Sequence, residues 1–136
     1  MSEESRLKVL LVDDEKLLLD LYRRRFEMNG FDVFTATDPE EVLKTLRAGY
    51  KPDVILFDIT MPAQISGYEF LEHIKKEKLG AKKCLYIALT NEGQDGEKKR
   101  IAELGADDHI MKSNFSPAEI VAHVQEMLKK IGRAHV

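Results

Sequence analysis

The sequence predicts an α/β fold in which helices cover both faces of a five-stranded parallel sheet. Short apolar segments alternate with amphipathic helical segments along the whole chain, a pattern typical of parallel sheets. The first, third and fourth apolar segments are almost continuously apolar, as expected for strands buried on both faces. Because crossover connections are right-handed, few topologies remain, and we expect a doubly wound sheet with strand order 2-1-3-4-5.

Five apolar segments bounded by turn residues are predicted to be strands. They span residues 8–12, 32–36, 54–57, 84–89 and 108–111. Cys84 opens the fourth of these strands, and we expect it to be a small buried hydrophobic residue rather than a nucleophile. The strands therefore divide the chain into five strand–helix units.

A helix is predicted after each strand, and capping residues mark its ends. The first helix ends at Gly30, and its predicted apolar face consists of Leu18, Leu21, Tyr22 and Phe26. The second helix begins at Asp38, with a proline at its first position, and ends at Gly49. The other three are expected at 67–78, at 97–104 after a loop at 93–96, and from the capping box at 116–119 to residue 131.

Composition and charge favour a single globular domain over residues 1–136, with a core over about 7–131. The formal net charge is -3, which argues against nucleic acid as a direct partner because phosphate backbones require a basic surface. Cys84 is the only cysteine, no apolar run is long enough to span a membrane, and the first five residues do not resemble a secretory signal. We therefore expect a cytoplasmic protein without a membrane segment.

Polar residues follow four of the predicted strands at the point where each strand ends. Asp13 and Asp14 follow the first strand, Asp58 the third, Thr90 the fourth and Lys112 the fifth. In a parallel sheet these positions share one edge, and the first and third strands flank the crevice where the winding reverses. One such residue alone would be read as a turn or cap, but four strand ends that agree indicate a functional site.

The residues at this edge suit the chemistry of a phosphoryl group. Three carboxylates would repel one another unless a cation lay between them, and Mg²⁺ prefers oxygen ligands. Asp58, alone at the end of the central strand, is the best candidate for a nucleophile that forms an acyl phosphate. Thr90 and Lys112 could stabilise the phosphoryl oxygens by a hydrogen bond and a positive charge.

Combined, these motifs resemble the receiver domain of two-component response regulators, and in particular single-domain receivers of the chemotaxis-regulator type. The resemblance spans about 7–131. The matching residues are Leu11-Val12-Asp13-Asp14-Glu15, Phe57-Asp58-Ile59-Thr60-Met61-Pro62, Gly67, Ala88-Leu89-Thr90 and Met111-Lys112.

The resemblance implies a role for each site residue. Asp58 would accept a phosphoryl group from a sensor histidine kinase or a phosphotransfer protein. The Mg²⁺ ligands would be Asp14, Asp58 and the backbone carbonyl of Thr60, with Asp13 acting mainly through water. Thr90 and Lys112 would bind the phosphoryl oxygens. His109, three residues before Lys112, would be the switch residue that rotates inward as Thr90 moves toward the phosphate.

The sequence departs from the family pattern at three places. The loop over residues 61–67 is one residue longer than usual. Asn91 stands where Ala or Gly is preferred, which is expected to restrict access to Asp58. Ser113 replaces the common proline after Lys112, which puts the cis peptide usual there in doubt, because a non-proline cis bond costs about 2.5–4 kcal/mol.

Two alternatives remain beside the phosphorylated switch. A phosphatase of the haloacid-dehalogenase type also uses an Asp after a strand, but it resembles a pattern with a second Asp where this chain has Thr60. A pseudo-receiver would bind partners without phosphorylation. For the switch itself, we expect no enzymatic activity beyond its own phosphorylation and dephosphorylation. We expect either a downstream protein target or an output domain outside this chain, and a monomer or a phosphorylation-dependent dimer.

Overall fold

The computed structural model describes residues 6–91 and 95–133, which form one parallel sheet with helices on both faces. The strand order is β2-β1-β3-β4-β5, a flavodoxin-like topology, which confirms the doubly wound sheet predicted from the sequence. The strands are β1 (Lys8–Val12), β2 (Asp32–Ala36), β3 (Val54–Asp58), β4 (Leu85–Thr90) and β5 (Asp108–Met111).

Among the described residues, five α-helices cover the sheet, and the side chains of preceding residues cap three of them. Asp38 accepts a hydrogen bond from the Glu40 amide, and the capping boxes that begin at Ser66 and Ser116 are complete. The helices are α1 (Lys16–Met28), α2 (Pro39–Arg47), α3 (Gly67–Lys76), α4 (Asp95–Glu103) and α5 (Pro117–Lys130).

The sheet separates two apolar cores. On one face α1 and α5 pack through residues that include Tyr22, Phe26 and Val124. On the other face α2 and α3 pack through residues that include Leu43 and Phe70. All the residues of β3 are buried, as expected for a central strand with helices on both sides.

The predicted apolar face of α1 was wrong at one position. Leu21 is 53% exposed, whereas Leu19, which was not assigned to the face, is buried. At about 100° of rotation per residue, Leu19, Tyr22 and Phe26 fall within one narrow stripe. Leu21 lies more than 100° from the centre of that stripe and therefore faces away from the sheet.

Several predicted boundaries shift in the structure. β3 includes Asp58 and β4 runs from Leu85 to Thr90, so Cys84 precedes its strand and is only partly buried. α3 ends at Lys76, because Lys78 adopts a positive φ of 52° that a helix cannot contain. α4 begins at Asp95, two residues earlier than expected, and residues 92–94 of the loop before it lie outside the described part of the chain.

Arg133 packs against the end of the sheet opposite Asp58, beyond the predicted core boundary. Its guanidinium binds the Asp53 carboxylate and donates to the Lys82 carbonyl at 2.9 Å. Asp53 is 7% exposed and also accepts a hydrogen bond of 2.8 Å from the Lys8 amide. Within the described residues, no helix is long and apolar enough to cross a membrane.

Candidate functional site

The carboxyl ends of β1 and β3 bring three carboxylates together. Asp13, Asp14 and Asp58 each offer an oxygen, and these oxygens lie within 4.8 Å of one another. Asp13 and Asp58 are buried, whereas Asp14 is exposed. The cluster therefore opens to solvent on the side of Asp14.

Lys112 reaches into this cluster from the end of β5. Its Nζ lies 2.6 Å from Asp13 Oδ2, 3.1 Å from Asp58 Oδ2 and 3.6 Å from Glu15 Oε1. Burial lowers the pKa of the Lys112 ammonium, but Asp13 and then Asp58 outweigh that effect and hold it above its ordinary value. Lys112 is therefore a fixed positive charge at the site.

The chain turns after Lys112 without a cis peptide bond. Residues Lys112–Asn114 form a short 3₁₀ helix, and every peptide bond in the described residues is trans, including the bond from Lys112 to Ser113. With serine in place of proline, a cis bond would be about 2.5–4 kcal/mol less stable than the trans bond.

The two oxygens of Asp58 have different partners. Asp58 Oδ2 receives the Lys112 ammonium, while Oδ1 accepts hydrogen bonds of 2.9 Å from both the Thr60 amide and the Thr60 hydroxyl. The Asn91 side-chain amide donates in turn to Thr60 Oγ1 at 3.5 Å. The sequence assigned the Thr60 backbone carbonyl to the metal site but did not predict the hydrogen bond from the Thr60 hydroxyl to Asp58, because turn side chains give no sequence signal for their bonding partners.

Asp13 is held by its own turn. Its Oδ1 accepts a hydrogen bond of 3.0 Å from the Glu15 amide. Burial raises the pKa of the Asp13 carboxyl, and the nearby Lys112 ammonium offsets only part of this rise. A cation near Asp13 would stabilise the ionised form further.

Thr90 presents a hydroxyl without a partner. Its Oγ1 is buried and makes no hydrogen bond in the described part of the structure. Leu89, its neighbour on β4, is in register with Asp58 on β3, and Thr90 itself is in register with Met111 on β5. Thr90 therefore lies at the same sheet edge, between the strands that carry Asp58 and Lys112. An unsatisfied buried hydroxyl there is available to a ligand oxygen.

His109 lies on β5, in register with Ala88 of β4, and its side chain is 23% exposed. Its amide donates to Asp108 Oδ1 at 2.8 Å, and Asp108 Oδ2 lies 2.6 Å from Nε2 of His123 on α5. The structure therefore places His109 beside an Asp108–His123 pair that the sequence pattern did not indicate, because the two residues are 15 positions apart.

Gly67 fixes the start of α3 against the end of β3. A Cβ atom at Gly67 would lie 2.4 Å from the Ile59 Cα, so only glycine allows this approach. The loop over 61–67, with its additional residue, still returns the chain to this contact. The backbone next to Asp58 is therefore held in place on the helix side.

The charges at the site suit a divalent cation. Three carboxylates face one ammonium, which leaves an excess of two negative charges among Asp13, Asp14, Asp58 and Lys112. All three carboxylates supply oxygen, the donor that Mg²⁺ prefers. The carboxylates can bind a metal ion, while the Lys112 ammonium and the unpartnered Thr90 hydroxyl can bind a phosphoryl group.

The acidic cluster and Lys112 lie at the carboxyl ends of the strands, where doubly wound α/β proteins bind their ligands. The sequence matches the family described as response regulator receiver domain over residues 9–125. The chain therefore belongs to the receiver domains of two-component response regulators, which take part in phosphorelay signalling.

Individual relatives agree with this family. The chain is 37% identical over 123 residues to the alkaline phosphatase synthesis transcriptional regulatory protein PhoP of Bacillus subtilis, covering 90% of this chain and 49% of the relative. It is 32% identical to the response regulator SaeR of Staphylococcus aureus, covering 93% of this chain and 53% of SaeR. The chain thus spans about half the length of these curated relatives.

Two solved receiver structures share the fold over nearly their whole length. The chemotaxis response regulator CheY4 of Vibrio cholerae superposes with a TM-score of 0.80 at 28% identity, covering 90% of this chain and 99% of CheY4. A CheY-like receiver domain protein of Methanospirillum hungatei gives a TM-score of 0.81 at 26% identity, covering 92% and 95%.

Proposed function

We propose that this receiver accepts a phosphoryl group on Asp58 from a sensor histidine kinase or a phosphotransfer protein in a Mg²⁺-dependent reaction. The observation that carries the proposal is the environment of Asp58 at the end of the central strand. Its carboxylate lies 3.1 Å from the Lys112 ammonium, with the Asp13 and Asp14 oxygens within 4.8 Å. Such a site combines a nucleophile with the positive charge that a transferring phosphoryl group needs.

Mg²⁺ would be held by Asp13, Asp14, Asp58 and the backbone carbonyl of Thr60. When bound, the metal would offset the negative charges that otherwise oppose the approach of the carboxylate to a phosphoryl group. The cluster of three carboxylates around a single ammonium supports this ligand set.

Asp58 is the only residue of this chain that would form a covalent bond in the transfer. An Asp58 carboxylate oxygen attacks phosphorus, so that the new O–P bond forms as the N–P bond of the donor's phosphohistidine breaks. The imidazole leaves with the electron pair and takes a proton from solvent. Lys112 and Thr90 then bind the phosphoryl oxygens by charge and by hydrogen bond. The chain would thus catalyse only its own phosphorylation and, with water as the acceptor, its own dephosphorylation.

The unpartnered Thr90 hydroxyl supports a switch between two conformations. Binding a phosphoryl oxygen would draw Thr90 toward Asp58, and His109 on the adjacent β5 would rotate into the space left behind. Phosphorylation then changes the surface formed by α4, β5 and α5, because it biases one of two arrangements. A downstream protein, an output domain or a second copy of the receiver would bind that surface.

The donor protein would approach along α1. Leu17 and Leu21 are 85% and 53% exposed and lie one turn apart on the helix that begins beside Glu15. Glu15 is within 3.6 Å of Lys112, so this exposed apolar pair borders the site. Exposed apolar residues of this kind are common at protein interfaces. We place the protein in the cytoplasm, where such donors act.

Two alternatives are less well supported. A haloacid-dehalogenase-type phosphatase resembles a pattern with a second carboxylate two residues after the nucleophile, and this chain has Thr60 there, hydrogen-bonded to Asp58. A pseudo-receiver is favoured only by the longer loop over 61–67 and by Asn91, whose side-chain amide donates to Thr60 Oγ1 at 3.5 Å.

Intact mass spectrometry after incubation with Mg²⁺ and a small-molecule phosphodonor tests the proposal. We expect one added phosphate on the wild type and none on Asp58→Asn or without Mg²⁺. Asp53→Asn, at the opposite end of the sheet, is the matched control and should still be phosphorylated. An unmodified wild type that remains folded and also fails with a histidine-kinase donor would favour the pseudo-receiver.

A further inference from the structure

A second candidate site lies at the end of the molecule opposite Asp58. The connection from α3 to β4 surrounds a cavity of about 460 Å³, within the size range of ligand pockets. Four lysines line the cavity: Lys75, Lys78, Lys82 and Lys83. The less polar Cys84 and Tyr86 also line it. Leu85, at the start of β4, is in register with Val54 at the start of β3, so the cavity and Asp58 occupy opposite sheet edges.

None of these lysines forms an ion pair with a carboxylate in the described part of the chain. Among the described residues, no carboxylate oxygen lies within 4.0 Å of the four ammonium groups, although acidic residues are close in sequence. The Glu77 carboxylate is bound by Arg47 through contacts of 2.8 and 2.6 Å. Asp107 accepts a hydrogen bond of 2.8 Å from the Tyr86 amide. Glu77 is therefore paired with Arg47, whereas the Asp107 carboxylate lies near Cys84 and Tyr86. The four lysines still give the cavity a net positive charge.

Two of the four lysines stand where glycine would fit the backbone better. Lys78 and Lys83 have positive φ angles of 52° and 66°, and they are the only non-glycine residues in the described chain with this conformation. Lys78 follows Glu77, the C-cap residue of α3, and this is the usual place for a left-handed glycine. Strained residues of this kind cluster at functional sites, and here both carry charges toward one cavity.

The chemistry of the cavity indicates its partner. We propose that it binds an acidic peptide segment of a partner protein, with one apolar side chain inserted between Cys84 and Tyr86 and carboxylates on the surrounding lysines. Lys75 supports the arrangement because its ammonium lies 5.4 Å from the centre of the Tyr86 ring. Because Asp58 lies at the other sheet edge, a partner bound here leaves the phosphorylation site open.

Two other anionic partners fit less well. A membrane surface is flat, so it would contact the exposed lysines but could not fill a concave site. Nucleic acid requires a broad basic surface, whereas this chain has a net charge of -3 and its lysines are concentrated around one cavity. The experiment below therefore also measures binding to a membrane surface and to nucleic acid.

Fluorescence anisotropy of the full chain with a labelled peptide, in which glutamates flank a central leucine, tests the proposal at low salt. The test variant is Lys78→Gly with Lys83→Gly, since glycine keeps both left-handed turns while it removes two charges. The matched control is Lys44→Gln with Lys130→Gln, which removes two exposed charges outside the cavity.

We expect the glycine pair to weaken peptide binding about tenfold and the glutamine pair to change it little. Replacing the peptide leucine with serine should weaken binding as well. Equal weakening by both variant pairs would reduce the effect to net charge and overturn the proposal. No binding of the peptide by the wild type, or stronger binding to phosphatidylserine vesicles or to a DNA duplex, would overturn it too. Each readout is independent of Asp58 phosphorylation.

Discussion

The Thr60 hydroxyl donates a hydrogen bond of 2.9 Å to Asp58 Oδ1, the same oxygen that accepts from the Thr60 amide. The other oxygen, Oδ2, lies 3.1 Å from the Lys112 ammonium. One carboxylate therefore has one oxygen held by neutral donors and the other by a full positive charge. Asn91 extends the neutral side, because its amide donates to the Thr60 hydroxyl at 3.5 Å.

Asn91→Ala is expected to speed the Mg²⁺-dependent phosphorylation of Asp58 by a small-molecule donor about threefold. Removing the amide frees the Thr60 hydroxyl from one partner and opens the approach to Asp58. The magnitude follows from the modest net free energy of one hydrogen bond, about 0.5–1.5 kcal/mol. The initial rate of phosphate incorporation, measured by intact mass, checks the prediction.

Asn91→Asp provides the matched comparison, because it keeps the size of the side chain and adds a negative charge beside an already acidic site. This variant should react more slowly than the wild type, since a like charge repels the phosphodonor. If alanine and wild type react at the same rate, the Asn91 side chain does not restrict the site.

Asp58→Asn should stabilise the metal-free protein by about 1 kcal/mol, because it removes one of three crowded carboxylates. Mg²⁺ should stabilise the wild type, by about 2.7 kcal/mol at one hundred times its dissociation constant, and should stabilise the variant much less. Urea unfolding with a chelator and with Mg²⁺ measures both effects. Asp32→Asn, at an exposed position on β2, should change neither by more than about 0.5 kcal/mol. Equal Mg²⁺ stabilisation of wild type and Asp58→Asn would remove Asp58 from the ligand set.

The sheet and its edge could be predicted because strands follow local rules. Buried parallel strands are apolar along their whole length, and their ends are marked by the first polar residue, such as Asp58 after Phe57. Once strand order follows from the handedness of crossovers, Thr90 and Lys112 must lie at the edge that carries Asp58. Most residues of the candidate site could therefore be predicted from their positions at the ends of strands.

Contacts between side chains could not be predicted in the same way. The Thr60 hydroxyl on Asp58, the approach of Glu15 to Lys112 and the Asp108–His123 pair depend on rotamers that packing selects. The predicted apolar face of α1 was wrong at one position for a related reason. Three consecutive leucines do not determine which of them faces the sheet.

Arg47→Gln should raise the pKa of the Glu77 carboxyl from about 2 toward its ordinary 4.5, because the Arg47 guanidinium is the main cause of the low value. A lowered carboxyl pKa stabilises the folded protein above pH 4.5, and this contribution is lost as the pH falls toward 2. The variant should therefore lose less stability between these pH values than the wild type. Carboxyl-carbon NMR titration of Glu77 measures the shift, with Lys44→Gln as the control on the same helix. An unchanged titration of Glu77 in Arg47→Gln would rule out the ion pair in solution.

Thr90→Val is expected to separate stability from switching. Thr90 Oγ1 is buried without a hydrogen-bond partner in the described structure, and valine has nearly the same shape without the unsatisfied hydroxyl. The free energy of unfolding of the unphosphorylated protein should therefore rise by about 1 kcal/mol. Thr37→Val, at an exposed loop position, should change it by less than about 0.5 kcal/mol.

The same Thr90 variant should still accept phosphate on Asp58, but the His109 ring signals in NMR spectra should no longer shift when a beryllofluoride phosphoryl analogue is added. A full shift of His109 in Thr90→Val would show that the Thr90 hydroxyl does not link the acceptor to β5.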